Sequence, residues 1–172
     1  LIAFGPSWFL AFDRGAAIPE IRVSERVWCD AGEFVGPWPS RAAAQAALEG
    51  LWDLFDLCRY PEQVRRAPRG KRCAYAEMGR CDAPCDGAAP LEAYLQRNLA
   101  AWRFASGGVS DWSEWAKREM RAAAGRQAFE RAALLKQQLA FALRWSADWA
   151  ALAAPAARLD QALALPVTRR RA

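Results

Sequence analysis

The chain of 172 residues contains no histidine. That absence removes Ser-His-Asp and Cys-His catalysis, HExxH zinc sites, and zinc fingers built from two cysteines and two histidines. Cysteine is left as the main soft metal ligand. No run of about 18 apolar residues occurs, so no segment reads as a membrane span. Residues 1–12 are apolar but lack a basic leading region and a cleavage pattern, and so do not read as a signal peptide. Without a secretory signal the expected compartment is the cytoplasm, where clustered cysteines serve as metal ligands more often than as disulfides. Leu, Val and Ile are modest in number and alanine inflates the 53% hydrophobic content. Nine Trp and eight Phe must therefore fill what is expected to be a thin core.

What is present is concentrated. Cys58, Cys73, Cys81 and Cys85 follow the pattern C-x14-C-x7-C-x3-C, with Cys29 far outside it. Four thiolates at loop spacings complete a structural zinc site or an iron–sulfur site. Residues 58–87 hold few large apolar side chains, too few to repay the entropy of ordering them, and metal binding is the remedy expected. Unrelated buried cysteines are the plainer alternative, and Cys29 is expected to be a lone buried thiol.

The net charge is +5 and the isoelectric point about 9.2. Residues 59–72 hold Arg59, Arg65, Arg66, Arg69, Lys71 and Arg72 against Glu62 alone, a local excess as large as that of the entire chain. Arg80 follows shortly after. Such density attracts phosphate backbones, although a solvated basic loop has the same composition.

Local signals give a mainly α fold with an α+β portion at the N-terminus. Residues 1–12 and Ile21–Val23 read as short strands. Gly36-Pro37-Trp38-Pro39 reads as a breaker. Ser40 reads as the cap of a helix that runs to about Asp56, with Leu48, Leu51, Trp52, Leu54 and Phe55 along one side. Pro90 is placed at the first position of a helix ending near Ala105. Gly107-Gly108 breaks it, and Ser110 caps the next. A turn near 125–128 then makes an antiparallel helical hairpin over about 110–154, stopped by Pro155. Trp112 and Trp115 are expected to meet Trp145 and Trp149 across it. The expected units are 1–56, a four-cysteine knuckle at 57–88, and a helical part at 89–172. Arg169-Arg170-Arg171 reads as a solvated tail.

Three blocks, in order, resemble the UvrC excinuclease family and its Cho relatives. Gly32-Glu33-Phe34-Val35-Gly36-Pro37-Trp38-Pro39-Ser40 is similar to the family's G-x-(Y/F)-x-G-P-(Y/W)-P-S stretch. The following helix ends in Leu54-Phe55-Asp56-Leu57-Cys58, with Asp56 close to where the family usually has Arg. Arg72-Cys73 and Gly79-Arg80-Cys81-Asp82-Ala83-Pro84-Cys85 resemble the family's cysteine block. Met120 to Leu139, with Phe129-Glu130-Arg131-Ala132-Ala133 at its centre, resembles the UVR motif, with Lys136-Gln137 where the family has Arg-Asp.

The resemblance implies that residues 1–56 are the C-terminal edge of a GIY-YIG nuclease domain, and that Leu1 opens a fragment whose N-terminal part is missing. Neither Gly-Ile-Tyr nor Tyr-Ile-Gly occurs, so the chain is not expected to cut DNA by itself. It implies a [4Fe–4S] cluster on the four cysteines, where composition equally allows zinc. It implies DNA contact through Arg59, Arg65, Arg66, Arg69, Lys71, Arg72 and Arg80. It implies docking of the excinuclease partner UvrB through Phe129, Glu130, Ala132, Ala133, Lys136 and Leu139, where an internal helix pair is the alternative. A zinc-binding adapter and the C-terminal part of an exonuclease-fused, polymerase-associated protein are the competing readings.

Overall fold

A computed structural model describes residues 7–25 and 32–163, with side chains as far as Asp148. Cys29, the first residues of the expected first strand, the side chain of Trp149 and the terminal arginines lie outside the described residues. Strand β1 (Trp8–Asp13) is central in an antiparallel sheet of order β2-β1-β3, with β2 at Ile21–Ser24 and β3 at Gly32–Trp38. Pairing sets Leu10 opposite Val23 and Val35, and Phe12 opposite Ile21. Successive strand residues point to opposite faces, so Leu10 and Phe12 share the core face, and both are fully buried.

The breaker expected at Gly36-Pro37-Trp38 is instead the end of β3. An edge strand tolerates a proline because one side of it needs no ladder hydrogen bond. Gly36 adopts φ 141°, which a side chain would oppose. The register shifts between Trp8 and Leu10 on the facing strand, which absorbs the irregularity.

Helix α1 (Arg41–Phe55) begins as its sequence indicates: Ser40 Oγ accepts from the Ala43 N–H at 3.1 Å. Ala44, Leu48, Leu51 and Leu54 recur every three or four residues and are buried on the sheet side. Asp56, left-handed at φ 51°, ends the helix. Leu57 and Cys58 then turn directly into the core. Two single-turn helices follow, α2 (Pro61–Val64) and α3 (Ala74–Glu77).

Helix α4 (Leu91–Arg103) has Pro90 as its N-cap, one residue earlier than expected. A wide helical turn, Phe104–Gly108, carries the kink at Gly107, φ 132°. Helix α5 (Val109–Gly125) starts on Gly108, so Ser110 lies inside its first turn rather than capping it. After a three-residue turn comes α6 (Phe129–Leu163). It continues through Pro155, the residue expected to end it. A proline costs a helix one N–H donor and a local clash, and a helix this long continues on either side of such a defect.

The segments 1–56, 57–88 and 89–172 share one core. Leu10, Leu51, Cys58, Val64, Cys85, Trp102 and Trp145 all belong to it. Rings supply its bulk. Phe12 stacks on Trp102 at 5.1 Å. Phe104 is the hub, with Phe55, Trp112 and Trp145 within 5.8 Å and Phe141 at 6.3 Å. Trp112 and Trp145 therefore meet through Phe104, while Trp115 is half-exposed. A second, smaller seam of Ala116, Leu135 and Leu139 joins α5 to α6. Among the described residues no helix is long and apolar enough to cross a membrane.

Candidate functional site

The end of α1 fixes Cys58 in the core, and the chain returns to bury Cys85 beside it. Between them Cys73 caps α3 and Cys81 follows it, both half-buried. Left-handed Gly79 and Ala83 turn the backbone back between these residues. Gly70 allows the closure: its N–H donates to the Cys85 carbonyl at 2.8 Å. A Cβ there would stand 2.4 Å from the Gln63 carbonyl oxygen. The loop that sequence composition makes too polar to order itself is thus anchored by Cys58, Val64 and Cys85, at 1–6% exposure.

Cys58, Cys73 and Cys81 line a cavity of about 360 Å³, walled by Trp52, Tyr75 and Leu134. All four thiols are free. Burial pushes the Cys58 thiol up to about 11, and the like charges that Cys81, Cys85 and Cys73 would carry push the same way. The Tyr60 N–H, donating to Cys58 Sγ at 3.4 Å, opposes this. Cys85 is pushed up by burial first and by Asp86 next. Cys58 and Cys85, whose thiolates burial disfavours, are positions at which nearby positive charge would be stabilising.

The donor set bears on what would bind. Among the described residues no three Cys, Asp or Glu side chains converge closely enough to hold a single metal ion. A tetrahedral zinc ion needs such convergence, with every sulfur about 2.3 Å from one centre. A cluster spreads its donors, since each thiolate meets its own iron at a separate corner. Cys58, Cys73 and Cys81 line one cavity, and Cys85 lies in the core.

The basic residues divide into two groups. Arg59 pairs with Asp53 and lies over the rings of Trp52 and Tyr75 at 5.6 and 5.3 Å. Arg65 pairs with Glu20 at 2.6 Å, and Arg72 with Asp86 at 2.7 Å. These three are paired within the chain, Arg65 and Arg72 at its surface. Arg66, Arg69, Lys71 and Arg80 are exposed, and no ion pair engages them among the described residues. Arg97, which sequence reasoning did not single out, ties α4 to the cysteine loop through Asp82 at 2.7 Å. Tyr94 does the same from inside: it is buried, and burial pushes its hydroxyl up to about 12 while Asn98 and the Cys58 backbone hydrogen-bond it.

On α6, Phe129, Glu130, Ala133 and Lys136 are exposed and Ala132 is half-buried. Phe129 stands out at 67% exposure. Leu139, expected on the same face, is buried against α5. Leu134, not singled out in the sequence, reaches the cysteine cavity. The two leucines lie five residues apart on different faces of α6, and the sequence alone does not say which face meets α5.

The model of the UvrC/Cho excinuclease middle domain matches residues 7–104. The UvrABC system protein C of Syntrophotalea carbinolica is 35% identical over 130 residues, covering 76% of this chain and 21% of that protein. Those of Thermus thermophilus and Moorella thermoacetica are 35% and 33% identical, each over 70% of this chain and 20% of theirs. The chain thus spans about a fifth of the length of the curated relatives it matches. No solved structure matches it. With more than half of its length inside the family's middle-domain model, the chain belongs to the UvrC/Cho excinuclease family.

Proposed function

We propose that this chain is the cluster-carrying, DNA-holding segment of a nucleotide excision repair excinuclease, with α6 as its docking element for UvrB. The observation that carries the reading is three free thiols, Cys58, Cys73 and Cys81, lining one cavity, with a fourth, Cys85, buried in the core behind it, beside four exposed cations that no described ion pair engages. Cys58, Cys73, Cys81 and Cys85 would hold a [4Fe–4S] cluster. Bound there, the group supplies cross-links between the end of α1 and the loop, and positive charge among the thiolates.

The chain's own residues do the rest. Cys58 and Cys85 hold the loop to the core. Tyr60 N–H aims at sulfur, and Arg97 and Tyr94 brace the loop from α4. Arg66, Arg69, Lys71 and Arg80 then present charge to a phosphate backbone without reading base sequence. The exposed Phe129, with Glu130, Ala133 and Lys136, offers UvrB an apolar anchor with charged flanks, the usual form of helix recognition.

The test is binding to duplex and single-stranded DNA as a function of salt, using anaerobically purified protein. Four phosphate contacts give a log–log slope of roughly −3. A slope near zero, or one unchanged in a variant lacking all four cations, would remove the loop as the DNA contact.

A further inference from the structure

Helix α6 has three faces. At 100° per residue, Leu135 and Leu139 fall together and meet α5. Phe129, Ala133 and Lys136 fall together on the outer side and are exposed. Leu134, Gln138 and Phe141 form the third face, which meets α1 and the cysteine segment. Leu134 lines the cysteine cavity and also the adjoining groove of about 270 Å³ that Gly50, Leu54 and Phe141 border.

The third face is clamped in place. Phe141 packs so tightly over Gly50 that a Cβ on Gly50 would lie 2.2 Å from its ring. Trp145, one turn further on, is in the main core. Two turns back from that clamp, Leu134 stands at the cavity with 45% of its surface still exposed. A side chain that is half in solvent and half against the cavity lies at its mouth.

We infer that Leu134 is a lid: α6 covers the mouth of the cysteine cavity and limits access of solvent, oxidants and chelators to the thiols and to whatever they hold. The inference rests on the cluster reading for the identity of the bound group, but not for the covering of the thiols. It joins two parts that the sequence separates by some fifty residues. It also places the covering side chain on the same helix as the outer face proposed for docking, so an event that lifts or twists α6 uncovers the site.

Two variants test it. Leu134→Ala removes the cover without touching the buried core. Gly50→Ala forces Phe141 off α1 and displaces α6 without substituting any residue of the cysteine cavity wall. Two readouts are taken on the full chain: the rate at which visible iron–sulfur absorbance bleaches in air and iron passes to a chelator, and the rate at which Cys73 and Cys81 are alkylated in metal-stripped protein, followed by mass spectrometry. Both variants are expected to raise both rates several-fold, with the starting iron content unchanged in Leu134→Ala. Alkylation at the parental rate in both variants overturns the lid. A colourless, iron-free parent protein sinks the cluster reading instead, and the alkylation rates still decide the lid.

Discussion

The cysteine segment and the α5–α6 pair solve the same problem in opposite ways. Each must be ordered against the rest of the chain, the first with few large apolar side chains and the second with Trp112, Phe141 and Trp145 to pack. The cysteine segment uses its chemistry-bearing residues as anchors: Cys58 and Cys85 are core residues as well as thiols. The helix pair keeps the two jobs apart, with Leu135 and Leu139 in the seam and Phe129 outside it. At Cys58 and Cys85 a mutation cannot touch function without touching structure. In the second region it can, because a helix offers several faces and a tight loop has only one interior.

Substitutions sharpen the contrast, and the largest effect is expected at Cys85→Ser. It removes a thiolate and puts a hydroxyl in the core, so bound iron should be lost together with protease resistance across 58–87. Retained iron and resistance would show that the segment is ordered without it. Leu135→Ala, at a fully buried seam position, should cost about 3 kcal/mol. This is read in thermal unfolding, with iron content intact; a loss of iron would mean that the two regions are not separable. Next comes the variant with Arg66, Arg69, Lys71 and Arg80 all changed to Ala, which should flatten the salt slope of DNA binding by roughly 3. Changing Arg59, Arg65 and Arg72 instead should disturb stability more than slope, since their charge is already paired.

Phe129→Ala should weaken UvrB binding by about 1–2 kcal/mol and shift stability by less than about 0.5 kcal/mol, measured by titration calorimetry and melting. The smallest effect is confined to alkali. Burial raises the Tyr94 hydroxyl from 10.0 to about 12. Its contribution to stability is therefore complete below about pH 10 and is lost as pH rises toward 12. Tyrosinate absorbance should show one late-titrating tyrosine, whose ionisation loosens α4 from Cys58. Tyr94 titrating near pH 10 would contradict this.

What is legible in the sequence is local. The Ser40 cap and the turn at 126–128 each depend on residues a few positions apart, and each is found where its local sequence indicates. What is not legible depends on partners brought from afar. The basic count for residues 59–72 sees only Glu62. Arg65 is neutralised by Glu20, 45 positions away, and Arg72 by Asp86, 14 away. Leu139 and Leu134 lie on different faces of α6, and only the position of α5 decides which face becomes the seam and which meets the cavity. Gly36-Pro37 and Pro155 show the same limit. A proline marks where a hydrogen bond is missing, not whether the element ends there, and an edge strand or a long helix survives the loss.

The central claim is that the four cysteines hold an iron–sulfur cluster. Iron, acid-labile sulfide and zinc measured in anaerobically purified protein, beside Cys81→Ser, test it most directly. The account predicts matched iron and sulfide with visible absorbance in the parent chain, all lost in the variant. Stoichiometric zinc without sulfide, or metal content that Cys81→Ser leaves unchanged, would contradict it.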